Sequence, residues 1–148
     1  MDMLQTLDTA APTLPRGATV VVWRRRGYEL EVLVLHRAAG HESSVAEPDW
    51  GWSPPSEARR PGEYVGFTAL RALREQTGLE LKLTLAEASA RGGVTDWPVF
   101  TAEDSAAATV RLDAGHDRYA WVPLDQGLLR CVPAAIADQL RLALAAAA

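Results

Sequence analysis

The chain has 148 residues, 48% of them hydrophobic and 23% charged, which suits one soluble domain with a real core. Nowhere does it offer the roughly 18 to 20 uninterrupted apolar residues of a membrane helix, and its net charge of −4 excludes a general nucleic-acid binder, which needs a continuous basic surface. A single cysteine, Cys131, excludes an internal disulfide and has no Cys or His neighbours at zinc-ligand spacing.

Residues 1–16 mix small, polar and proline positions without periodicity and read as a loose arm or a short edge segment, so the expected domain spans residues 17–148. That arm has neither a basic start nor a continuous apolar run, so it is not a secretory signal, and a cytoplasmic location is expected. Residues 18–23 and 30–35 are β-rich apolar runs separated by charges and Gly27, the pattern of two paired strands. His36 ends the second run and is read as a packing or capping residue; His41 lies in the loop beyond.

Residues 38–60 are rich in Gly, Ser, Pro, Glu and Asp, with Trp50, Trp52 and the Pro54-Pro55 pair as landmarks. Loops this long carry function or are plain excursions, and both readings stay open. On the functional reading Trp50 and Trp52 stack on a base, and Arg59 and Arg60 join them as candidate substrate-binding residues. All but one of the fifteen basic residues are arginine, Lys82 being the exception; phosphate binding and compositional bias both account for that.

Residues 62–79, GEYVGFTALRALREQTGL, shift to helical spacing, with Val65, Ala69, Leu70, Leu73 and Thr77 as the apolar stripe and Gly78 as the C-terminal cap. Four strand-like runs follow at residues 81–86, 94–101, 107–112 and 118–122, with Pro98 confining the second to an edge or a bulge. Trp23, Trp97 and Trp121 lie in strand runs and are expected in the core. A short turn or helix at residues 123–130 and a final helix from Pro133 complete a mixed α/β sandwich.

Positions 72, 75 and 76 share one side of that helix and are expected opposite its apolar stripe, yet only Glu75 is acidic there. Mg²⁺ uses one or two protein carboxylates and takes its other ligands from water and substrate phosphate, so Glu75 alone suits a weak, substrate-dependent ion. Arg71 can pair with Glu75, and Glu63 can turn back toward the same turn. A plain alternative explains the same spacing by a surface ion pair, a helix-dipole contact and an ordinary cap.

The segment also resembles the signature of the Nudix hydrolases: glycine, five residues, glutamate, seven residues, then arginine, glutamate, an aliphatic residue, any residue, two glutamates, any residue, glycine and an aliphatic residue. Glu63, Arg71, Leu73, Glu75, Gly78 and Leu79 match in register, while Glu57, Ala72 and Gln76 depart from the first glycine and from two glutamates. Upstream, Trp52-Ser53-Pro54-Pro55 resembles the approach to that box, with Ser56-Glu57 replacing two glycines whose backbone carbonyl helps hold the metal. The late segment at residues 116–126 is of similar character, with Gly115 where relatives often have a further glutamate.

The resemblance implies an α/β (α+β) fold, a Nudix-like α/β/α sandwich with a mixed central sheet. It implies hydrolysis of a diphosphate bond in a nucleoside diphosphate linked to another moiety, with Mg²⁺ or Mn²⁺ held weakly or only with substrate. Glu75 and Glu63 are the implied metal ligands, and Glu63, Arg71 and Glu75 the implied catalytic residues. The departures favour an alternative, an inactive module of the same fold that binds a nucleotide or a protein partner. Homodimer formation is left open.

Overall fold

A computed structural model describes residues 15–38, 51–85, 98–124 and 126. The first two strands, β1 (Gly17–Arg26) and β2 (Glu29–Arg37), form a hairpin whose two-residue turn starts with Gly27 at φ 65°, a conformation that costs glycine nothing. Both run further than the apolar residues alone indicate. Arg24, Arg25 and Arg26 pair with Glu31, Leu30 and Glu29 across the hairpin, and the Arg24 Nε donates to Glu31 Oε1 at 2.7 Å. Opposite charges across a strand pair prolong a ladder, and here they carry the hairpin out past the core.

Side chains along these strands alternate between two buried clusters. Ala18, Val20, Val22, Leu33 and Leu35 face one side of the sheet, and Val21, Trp23, Val32 and Val34 face the other. Because both faces are covered, the strands read as continuous apolar runs and not as an in-out alternation.

Register pairing between β1 and β2 runs from Trp23↔Val32 to the turn, and beyond it the strands part. The gap is filled by β3 (Trp52–Ser53), paired to β2, and β4 (Ser56–Ala58), paired to β1, with the buried Pro54-Pro55 corner between them. Proline has no N–H for the ladder, but the Pro55 carbonyl accepts from the Val20 N–H at 2.8 Å, which fixes the corner on β1. Completing the sheet, α1 (Val65–Thr77) leads to β5 (Thr84–Leu85), β6 (Val99–Glu103) and β7 (His116–Pro123). β6 runs parallel to β1, and β5 and β7 lie antiparallel to β6 and β2. The result is a mixed sheet of seven strands among the described residues.

Helix α1 packs on the first sheet face, where Ala69 and Leu73 join Val20, Leu33 and Phe100. Its buried positions are Thr68, Ala69, Ala72, Leu73, Gln76 and Thr77. This corrects the expected stripe: Ala72 and Gln76 lie on the core side, whereas Leu70 is only partly buried. Positions 69, 72, 73 and 76 already have the i, i+3, i+4, i+7 spacing of one face. Reading apolarity alone hid this, because glutamine is buried when its amide is fully bonded.

A second correction concerns residues 107–112, which form no strand. Ala107 has φ 52°, which no extended strand tolerates, and the Arg111 N–H goes to the Thr77 carbonyl at 2.8 Å, closing the end of α1. The run at 81–86 shortens to β5, with Leu81 and Leu83 packed against the core from irregular backbone. Pro98 precedes β6, its carbonyl accepting from Thr19 N–H at 3.1 Å, and Trp23 and Trp121 join the two core clusters as expected. The arm to residue 14, His41, Trp50, Trp97, Cys131 and the helix expected from Pro133 lie outside the described residues. No helix among the described residues is long and apolar enough to cross a membrane.

Candidate functional site

Two polar assemblies meet where α1 crosses β4. In the first, Glu63 stands one residue before Tyr64, which begins the helix, and turns its carboxylate back along the first turns. Its Oε1 accepts from Thr68 Oγ1 at 2.8 Å, Arg71 Nη2 at 3.0 Å and Arg60 N–H at 3.1 Å, while Oε2 accepts from Arg71 Nε at 3.1 Å. Arg71 also donates to the Ala58 carbonyl at 2.8 Å, which ties the helix to the end of β4. The guanidinium fork, aided by the backbone donor of Arg60, pulls the Glu63 pKa from 4.5 down to about 2, and Glu63 in turn raises that of Arg71.

Arg71 lies close to two more carboxylates, Glu57 at 3.8 Å and Glu75 at 3.9 Å, both on Nη1. One arginine thus gathers Glu57, Glu63 and Glu75. Glu63 is the tightly held member and Glu75 the loosely held one, with its side chain 51% exposed. The sequence-predicted trio of Glu63, Arg71 and Glu75 is brought together, with the strong pairing of Arg71 going to Glu63.

In the second assembly, Gln76 Oε1 accepts from the Ser56 N–H at 3.2 Å, and Nε2 donates to the Ser56 carbonyl at 2.6 Å and to Glu57 Oε2 at 2.9 Å. The amide orientation follows from its partners, since a flip would set an oxygen against two oxygens and a donor against a donor. Ser56 belongs to β4, whose other side is paired to β1, so the carboxamide acts as a neighbouring peptide unit for its open edge.

These oxygens bear directly on metal binding. Among the described residues no three His, Cys, Asp or Glu side chains are grouped to hold an ion. Glu63 is saturated by donors, and the two oxygens that converge at the Ser56–Glu57 step converge on an amide nitrogen. The donor set does not fit a divalent ion held by the protein alone.

Of the other predicted substrate contacts, Trp52 lies in β3 with the His36 ring edge-on at 5.0 Å and the Arg118 guanidinium 5.5 Å from its ring centre. His36 is hydrogen-bonded at Nδ1 to Asp117 Oδ1 at 2.8 Å, and Arg118 Nη2 lies 3.0 Å from Nε2. Asp117 is held below its usual pKa, first by His36 and then by Arg118. Arg59 is spent on backbone carbonyls, those of Pro15 at 2.7 Å and Glu63 at 3.0 Å, so it braces the loop before α1. Arg60 has an exposed side chain, while its N–H serves Glu63. Trp50 lies outside the described residues.

Sequence reasoning reached the Ser56–Glu57 step only through the family resemblance, and it missed Thr68 as a partner of the site and the His36–Asp117–Arg118 group around Trp52. The hydroxyl of Thr68, one turn into the helix from Glu63, was a readable signal. Ser56 takes part through its backbone, which carries no side-chain signal at all.

A family model described as NUDIX domain matches residues 13–142. The comparison with curated proteins returned no match. Among solved structures the chain is similar to a C. elegans Ap4A hydrolase in a binary complex, at 22% identity over 90% of this chain and 98% of that one, with a TM-score of 0.71. It is also similar to the NUDIX domain of Shewanella oneidensis NrtR complexed with ADP ribose, at 18% identity over the whole of both chains and a TM-score of 0.64. A third is the E. coli dihydroneopterin triphosphate pyrophosphohydrolase, at 15% identity over 90% of this chain and 99% of that one, with a TM-score of 0.67. At such identities these likenesses establish the fold.

Proposed function

The chain belongs to the Nudix family, and on that premise we propose that it hydrolyses a diphosphate bond in a nucleoside diphosphate linked to another moiety. The observation that carries this reading is the gathering of Glu57, Glu63 and Glu75 on Arg71 beside the open edge of β4. Support also comes from the ligands of similar folds, one bound to ADP ribose and one named as an Ap4A hydrolase.

In this reading the substrate is the complex of the diphosphate with its own Mg²⁺ or Mn²⁺, because the protein's donor set does not suit a resident ion. Glu75, half exposed and held among the described residues by a long ion pair, is the carboxylate that meets this complex. Arg71 and Glu63 are positioning residues: the paired fork fixes the first turns of α1 and so the place of Glu75. Trp52 and Trp50 are the proposed stacking residues for the base, and Arg60 offers an exposed guanidinium for phosphate. A cytoplasmic setting, where nucleotides occur as metal complexes, goes with this chemistry.

Incubation with a panel of nucleoside diphosphate conjugates and Mg²⁺ or Mn²⁺ tests the proposal. Turnover is expected in the unaltered protein and a loss of about a hundredfold or more in Glu75→Gln. Folded protein with no turnover above that variant would overturn it.

A second reading, ligand binding without cleavage, is favoured by the bonds of Gln76, which use up oxygens at the site. Nucleotide affinity that is unchanged by a chelator, with no product formed, would support this reading over the first.

A further inference from the structure

The Ser56–Glu57 step presents two oxygens, one a backbone carbonyl and one a carboxylate, that converge on a single nitrogen at 2.6 and 2.9 Å. Convergent oxygens of this kind, one of them charged, attract a cation or a group with several N–H donors. Here the group is the amide of Gln76, a neutral double donor anchored on its other side by the Ser56 N–H at 3.2 Å. Gln76 is 5% exposed and lies in the last turn of α1 on its sheet-facing side, so it cannot swing away without opening the helix–sheet contact.

We propose that the Gln76 carboxamide is a built-in substitute for a cation at this step, and that it keeps the α1–β4 junction free of a resident divalent ion. The inference rests on the diphosphate reading only in taking this junction as the ligand site. A change of one group, NH₂ to O, would leave the Ser56 carbonyl, Glu57 and a new carboxylate facing one another with no donor between them. Such a set is unstable alone and is satisfied by Mg²⁺ or Mn²⁺. Glu57, with its side chain 34% exposed, keeps the position within reach of solvent ions. The identity of residue 76 therefore decides whether the metal belongs to the protein or to its ligand.

The test needs neither nucleotide nor turnover, so its failure is distinguishable from failure of the hydrolase reading. Mn²⁺ binding is followed by electron paramagnetic resonance, and thermal unfolding is measured in EDTA and in Mn²⁺, for the unaltered protein, Gln76→Glu and the double variant Gln76→Glu with Glu57→Gln. The unaltered protein is expected to show no binding at micromolar Mn²⁺ and the same Tm in both buffers. Gln76→Glu is expected to bind Mn²⁺ about tenfold or more tightly than the unaltered protein, and to have a Tm that rises in Mn²⁺. Loss of that gain in the double variant places the ion on Glu57. Micromolar Mn²⁺ binding by the unaltered protein would overturn the proposal. So would a Gln76→Glu protein that gains no affinity.

Discussion

At the scale of single residues, Glu63 and Gln76 hold the α1–β4 junction by different physics. Glu63 is ionised and its folded pKa is depressed to about 2, so its contribution to stability is fully present above pH 4.5 and is lost as the pH falls toward 2. Urea unfolding from pH 7 to pH 2 should show a destabilising acid limb that becomes shallower in Glu63→Gln; an unchanged limb would mean that other carboxylates set it. Gln76 is neutral and has no titration of its own. Gln76→Ala strands the Ser56 N–H, the Ser56 carbonyl and Glu57 and leaves a cavity, and is expected to cost about 2 to 4 kcal/mol at pH 7 by chemical denaturation. Glu63, Arg71 and Glu75 were legible in the sequence because they sit at fixed spacings within one element and its edge. The Ser56–Glu57 step was legible only through the family resemblance, since the part of Ser56 is played by backbone atoms brought near the helix by folding.

At the scale of elements, α1 is well closed at one end and poorly at the other. Gly78 adopts φ 71° and its N–H caps the Arg74 carbonyl, while a Cβ there would lie 3.3 Å from Arg111 Cβ and Nε. Gly78→Ala is expected to lose about 1 to 2 kcal/mol in thermal unfolding, from left-handed strain and from pressure on Arg111. Tyr64 occupies the N-cap with no side-chain bond to the helix and is largely exposed. Tyr64→Ser should therefore add roughly 0.5 to 1 kcal/mol in the same measurement, and no gain would show that the first turn is already served by other acceptors. The glycine cap was readable from the sequence because only one residue type suits it. The buried side of α1 was not fully readable: Ala72 and Gln76 face the sheet, and a scan for large apolar residues passes over both. Residues 107–112 misled for a related reason, having strand-like composition but a backbone drawn off to finish α1.

At the scale of the whole molecule, the fold follows from a hairpin that opens. The β1–β2 ladder closes near the turn and parts below Trp23 and Val32, and the Trp52–Ala58 segment enters the gap and delivers Ser56 and Glu57 to the face of α1. The mixed α/β character was legible from the alternation of apolar runs and one amphipathic helix, but the splay was not. It depends on pairings between residues far apart in the chain, and on a proline corner that read as loop. This architecture leaves acidic groups gathered on Arg71 and an amide in the place where oxygens converge, and on the proposed hydrolase reading the ion comes with the ligand. The most direct test is the turnover rate of a cleaved nucleoside diphosphate conjugate, measured while Mn²⁺ and conjugate are varied independently. The rate should follow the concentration of the Mn²⁺–conjugate complex and stop rising once all conjugate is complexed. A further rise with free Mn²⁺ beyond that point, saturating at its own affinity, would contradict the account.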